Sequence, residues 1–292
     1  MKTVTAFAPG HISGFFQPIT ESNDVNQIGS RGAGVCISHG ATVNVQLKNL
    51  EKQKIHIQVN GKQGKFPVTT KAIKTLIGKE QVYVEASINL DLPMGQGFGM
   101  SAASALSSSL AVAYLLDKPR SEAVHAAHLA EVSYHTGLGD VCTAAIGGFE
   151  IRKKPGIPPF GDIQKINEHH DITLGVFPGS ISTRKILTNN KTIEKISTIG
   201  AYCTDQVTTK PSVQSIMKYS YYFTKESGLA PKPILDVLKD LNEQTLASMC
   251  MLGHSVFIIG NNSAIINLLT KQATVIHTTV DTNGARLLKP TQ

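Results

Sequence analysis

The sequence has no tryptophan, and its tyrosines and phenylalanines bring aromatics to only 6% of 292 residues. No basic stripe with interleaved aromatics, of the kind that stacks single-stranded nucleic acid, occurs. Cysteine is scarce too. Cys36, Cys142, Cys203 and Cys250 stand far apart, with no C-x-x-C and no histidine pair at zinc-ligand spacing; this argues against a structural zinc site and predicts reduced thiols in a cytoplasmic protein. Long apolar runs are missing as well. The most apolar stretch, residues 102–116, is interrupted by Ser104, Ser107, Ser108 and Ser109 and falls short of the roughly 20 residues a membrane span requires. The first nine residues contain no apolar core of signal-peptide length. Neither a membrane nor a nucleic-acid partner is expected.

The chain does carry a positive excess, +7 from 28 Lys and Arg against 21 Asp and Glu. Residues 1–150 hold 12 basic and 11 acidic groups, and residues 151–292 hold 16 and 10, so the excess belongs to the second half. It is scattered there, with Arg152-Lys153-Lys154 as the one basic run, which suits a small anionic substrate at least as well as a polynucleotide. The length fits two domains at about 150 residues each. The breaker cluster Pro155-Gly156-Ile157-Pro158-Pro159 sets a boundary near residue 160, giving units 1–160 and 161–292.

Alternation and turn residues predict strands over residues 3–8, closed by a Pro9-Gly10 turn, and over 35–47, 54–60 and 82–88. A short helix is expected over 70–77, a buried helix over 101–116 and a further helix over 121–135 with Ser121 as its N-cap. Residues 142–151 read as a glycine-containing strand region. In the second half strands are expected at 172–177, 255–259 and 273–279, with helices at 212–225, 233–251 and 263–271, an α+β layer with helices on one sheet face.

The most informative segment is Pro93-Met94-Gly95-Gln96-Gly97-Phe98-Gly99-Met100-Ser101-Ala102-Ala103. Glycines at alternate positions permit positive φ and close approach of an anion to the main chain, and the helix that follows presents its unpaired N–H groups at the same place. The segment has neither the lysine of a P-loop nor G-x-G-x-x-G spacing; a plain tight turn accounts for the glycines alone equally well. It resembles the second motif of the GHMP kinases, in which a proline and a glycine-rich loop lead into Gly-Ser-Ser-Ala-Ala. Residues Ala8-Pro9-Gly10-His11-Ile12-Ser13-Gly14 are similar to that family's N-terminal motif, and Met251-Leu252-Gly253-His254-Ser255-Val256-Phe257 stands where its C-terminal glycine motif stands, reduced to the single Gly253. Within the superfamily, the residues 10–16, Gly29-Ser30-Arg31-Gly32-Ala33-Gly34 and Met251-Leu252-Gly253 resemble the archaeal pantoate kinases.

The resemblance implies a two-domain GHMP kinase fold, with a ribosomal protein S5 domain 2-like N-terminal unit and a ferredoxin-like C-terminal unit. It implies ATP-dependent phosphorylation of the primary hydroxyl of pantoate in coenzyme A biosynthesis. Pro93, Gly95, Gly97, Gly99, Ser101, Ala102 and Ala103 would hold ATP. Ser101 and Glu131 would hold Mg²⁺, and Asp140 would be the acid that meets the substrate hydroxyl. Met100 replaces the family's first serine, leaving more of the phosphate binding to backbone amides. A carboxylate substrate calls for a cation of fixed geometry. Arg31, bracketed by glycines, is the first candidate, with His11, Arg152 and Arg184 behind it. A homoserine- or mevalonate-type acceptor, a non-catalytic ligand sensor of the same fold and a nucleic-acid-binding module remain alternatives, and a homodimer is left open.

Overall fold

Two long strands organise the first half of the molecule. In the computed structural model, which describes residues 2–179, 186 and 190–288, β1 (Lys2–Ile19) and β2 (Gly29–Asn49) pair antiparallel along almost their whole length. The expected Pro9-Gly10 turn is instead a point inside β1 where the register shifts. Proline lacks the N–H a ladder needs, and an irregularity here absorbs that loss without ending the strand.

β2 is long enough to serve two neighbours. Its second half pairs with β5 (Val82–Leu90), which lies parallel to β3 (Lys54–Val59), followed by the two-residue β4 (Lys62–Gln63). Its first half pairs with β6 (Phe149–Lys154), which continues into β7 (Asp162–Ile166). Helix α2 (Met100–Leu115) and the short α4 (Asp140–Ile146) pack on this sheet, and α1 (Pro67–Ile77) and α3 (Arg120–Tyr134) pack on α2 and on each other. α2 is buried on nearly every side, which is why its alanines, serines and leucines show no polar stripe. Ser121 does not cap α3: the N-cap is Pro119, without a side-chain cap. The strand region expected from residue 142 begins as α4, and Gly147 and Gly148, at φ 74° and 83°, turn the chain from helix to β6.

The second sheet has the order β11-β8-β10-β9 with antiparallel neighbours, from β8 (Asp171–Val176), β9 (Ala247–Met249), β10 (Ser255–Ile259) and β11 (Thr274–Thr279). Helices α5 (Asn190–Thr209), α6 (Val213–Ser227) and α7 (Lys232–Asn242) lie between β8 and β9, and α8 (Ser263–Leu269) between β10 and β11. This is the ferredoxin-like arrangement. The helix expected to run to 251 stops at Asn242 because the Asn242 amide turns back on the chain. Its Nδ2 donates to Leu238 O (2.7 Å) and Ala247 O (3.0 Å), while Oδ1 accepts from Ala247 N (3.3 Å).

The last described strand, β12 (Arg286–Leu288), returns to the first sheet and pairs with β1. Residues 2–166 and 286–288 therefore build the first sheet and its helices, and the second sheet spans 171–279. Asp281 secures the return. Its Oδ1 accepts from Asn283 N (3.0 Å) and Gly284 N (2.8 Å), its Oδ2 accepts from Arg286 (2.8 Å), and its backbone bonds Cys36 O and Gly148 N. Val280 N donates to His170 O at 3.1 Å, so the outgoing and returning connections are bonded to each other. Between the two layers Phe223 of α6 packs on Phe15 and Phe16 of β1, with ring centroids 6.5 and 5.9 Å apart. No helix among the described residues is long and apolar enough to cross a membrane.

Candidate active site

A cavity of 540 Å³ opens where the glycine loop, the start of α2 and the 135–140 turn meet β1 and the 251–252 turn. The loop backbone is left-handed at Gly95, Gly97 and Gly99, with φ of 77°, 79° and 65°, a conformation glycine adopts without Cβ strain. Gly99 is the N-cap of α2, and no side chain caps the helix. Its first N–H groups and positive dipole end thus remain available to an anion in the cavity. Gly95, Gly97, Gly99, Ser101 and Ala102 line the cavity; Pro93 and Ala103 do not. Ala103 instead extends the helix ladder, donating to Gly99 O at 2.9 Å.

The loop rests on the second sheet. Gln96 accepts from Ser255 Oγ at its carbonyl (2.5 Å) and from His254 N at Oε1 (3.1 Å), and its amide donates to Gly179 O (2.8 Å). A Cβ at Gly253 would collide with the Gln96 main chain. The weakly matching third motif is therefore the seat of the loop.

Two carboxylates flank the cavity. Glu131, near the end of α3, is 2% exposed and its Oε1 accepts from Ser101 Oγ at 2.6 Å. Burial first, and the nearby charge of Asp140, push its carboxyl up to about 7, offset in part by hydrogen bonds from Ser101 and Thr136. Asp140, the first residue of α4, holds His11 Nδ1 at 2.6 Å through Oδ1. Burial raises its carboxyl, but the hydrogen bond and charge of His11 and the charge of Arg152 outweigh it, and the net shift is downward. A Cβ at Gly137 would collide with Glu131 Oε2 and come within 2.7 Å of Asp140 Oδ2, so the two carboxylates face a gap only glycine leaves open.

The donors on the Glu131 side fit a hard divalent cation. A hydroxyl and a buried carboxylate stand together at the cavity wall, and burial together with the Asp140 charge raises that carboxylate. Among the described residues no three His, Cys, Asp or Glu form a protein-only metal cage.

The candidates for substrate contact separate. His11 does not line the cavity; 1% exposed, it stands behind Asp140, with Nε2 at 3.1 Å from Glu150 Oε1. Burial lowers its pKa, and the Glu150 charge with hydrogen bonds to both carboxylates more than reverses this. Arg152, 2% exposed, bonds Glu150 and donates to Ser13 Oγ at 3.3 Å, while its buried Nε has no partner. Ser13 and Ser30 line the cavity in front of it. Arg31 lies apart: its guanidinium donates to Lys153 O (3.0 Å), Gln17 (3.1 Å) and Asp205 (2.5 Å), tying β2 to β1 and α5 outside the cavity. The glycines around it serve the backbone, as at Gly32, where a Cβ would overlap Phe15 O. Arg184 lies outside the described residues. Sequence reasoning missed Glu150 and Ser13. Glu150 stands two positions before Arg152 on one strand, hence on the same face, and that spacing was the available signal.

The model of the GHMP kinases N terminal domain matches residues 68–148. A pantoate kinase of Methanocaldococcus jannaschii is 34% identical over 266 residues, covering 90% of this chain and 95% of that one. A pantoate kinase of Methanospirillum hungatei is 34% identical over 294 residues, covering 99% and 97%. A solved structure described as a phosphotransferase related to the CoA biosynthesis pathway superposes over 100% of both chains with a TM-score of 0.89 at 26% identity.

Proposed function

The chain belongs to the pantoate kinases of the GHMP kinase family, and from that premise we propose that it transfers the γ-phosphoryl group of ATP to the primary hydroxyl of pantoate, giving 4-phosphopantoate and ADP. The observation that carries the reading is the convergence on one cavity of an uncapped helix N-terminus behind three left-handed glycines, Glu131 with Ser101, and Asp140.

The triphosphate lies along Gly95 to Ala102, where backbone N–H groups and the α2 dipole meet its charge. Ser101 and Glu131 would hold Mg²⁺, which when bound neutralises phosphate charge during transfer. Asp140 receives the substrate hydroxyl on Oδ2, its other oxygen being held by His11. The substrate oxygen bonds to the γ-phosphorus as the bond to the ADP oxygen breaks, and the hydroxyl proton passes to Asp140. A carboxylate of depressed pKa is a weak base, so Asp140 contributes chiefly by aligning the nucleophile.

Recognition of the substrate carboxylate falls to Ser13 and Ser30 at the cavity wall, with the buried Arg152 guanidinium behind them supplying positive charge and orienting Ser13. We place the reaction in the cytoplasm, consistent with four buried, unpaired cysteines. An ADP-release assay across pantoate, homoserine, mevalonate and shikimate tests the reading. Turnover with pantoate is expected; turnover of another acceptor with none for pantoate overturns it.

A further inference from the structure

His11 is the residue the proposed mechanism leaves unexplained, since a buried ring cannot touch substrate. Both its nitrogens face carboxylates: Nδ1 lies 2.6 Å from Asp140 Oδ1 and Nε2 lies 3.1 Å from Glu150 Oε1. An ionised carboxylate only accepts, so each ring nitrogen that bonds one must carry a hydrogen. Arg152 Nη1 also reaches the same Nε2, but at 3.5 Å this contact is longer than the 3.1 Å to Glu150 Oε1, and the guanidinium nitrogen has Glu150 as its nearer partner. We infer that His11 is a permanent imidazolium and a positioning residue, which clamps Asp140 Oδ1 to Glu150 and so fixes an ionised Asp140 with Oδ2 toward the acceptor hydroxyl. This inference rests on the assignment of Asp140 to the acceptor made above.

Charge balance supports the clamp. With His11 protonated, two carboxylates and two cations close a neutral quartet; with His11 neutral, the same buried space holds one uncompensated negative charge, which burial penalises heavily. The groups facing the ring are Asp140 from α4, Glu150 and Arg152 from β6, and the Cys36 thiol across the β1–β2 ladder, which burial and these carboxylates push well above its ordinary range. Glu131 on α3 adds its charge to Asp140. The arrangement is built into the sheet. β1 and β6 lie on either side of β2, and the ring crosses over Gly34, where a Cβ would come within 2.8 Å of Nε2.

Nitrogen-15 NMR of the histidine-labelled full-length protein, with His11 assigned through its backbone, reads the ring directly and needs no variant. Both ring nitrogens are expected to carry protons at about pH 8, where an ordinary imidazole near 6.5 is neutral. A singly protonated His11 ring at that pH overturns the inference.

In His11→Asn, kcat is expected to fall about 100-fold through lost alignment, with KM for ATP nearly unchanged. At saturating Mg²⁺, where the Glu131 proton no longer limits the rate, the acid limb of the kcat profile should move to higher pH, because Asp140 loses the bond that lowers its carboxyl. An unmoved acid limb in folded His11→Asn also overturns it. If pantoate is not phosphorylated, the functional reading fails, while the ring protonation still decides the clamp.

Discussion

Glu131 and Asp140 face one another across Gly137, yet their surroundings drive them in opposite directions. Asp140 stands on the side where β1 and β6 bring His11 and Arg152, and is held ionised. Glu131 stands on the side where α2 and α3 offer one hydroxyl and no cation, and titrates near 7. The lesson is that two acids sharing a cavity are given different electrostatic surroundings by the elements behind them, which suit them to the different tasks proposed. A carboxylate that already has its counter-charge is free to orient a neutral hydroxyl. On the proposed reading, one that lacks it is left for a divalent cation to pair.

The sharpest way to break this contrast is to remove the charge on the ionised side. Asp140→Asn should lower kcat by roughly 10²- to 10⁴-fold with little change in KM for ATP, measured by ADP release. A variant close to wild type would take the acceptor role from Asp140.

On the other side the contrast shows in metal dependence. Mg²⁺ bound at Glu131 as proposed would displace the proton that this carboxyl, pushed up to about 7, takes on in acid, so the Mg²⁺ giving half-maximal rate should rise about tenfold per pH unit on going more acidic and level off above neutrality. Titrations on both sides of pH 7 check this, and Glu131→Gln should abolish the trend. A requirement independent of pH in the wild type would show Glu131 ionised throughout.

The smallest effect is expected from the arginine that stands outside both environments. Arg31→Ala should leave KM for pantoate unchanged and cost on the order of 1 kcal/mol or less, since its partner Asp205 is 63% exposed. A large rise in KM would return Arg31 to the substrate site.

These three outcomes also mark what was legible in the sequence. The 93–103 segment could be read because its logic is local: alternate glycines and a helix start lie within a few residues. Most strands and helices were readable for the same reason, through alternation and helical periodicity. Contacts set by strand pairing were not. Nothing in the linear order says that β2 will carry β1 on one edge and β6 on the other, so His11 reads as a ligand candidate and Glu150 does not stand out at all. Arg31 misled because its flanking glycines admit close-packed backbone rather than a ligand. The helix α5 and the strand β12 went unread; β12 has three residues and exists only because β1 offers an edge to pair with.

The return of β12 to the first sheet makes the ferredoxin-like layer a guest inserted into its host, entered through 166–171 and left through 279–286. Because Val280 bonds His170, the two crossings form a two-ply strap. At the cavity the Cys250–Ser255 turn fastens the inserted layer to its host a second time, through Met251 N on Ser13 O and Ser255 Oγ on the Gln96 carbonyl, so the site lies at the far end of a layer held at both of its ends.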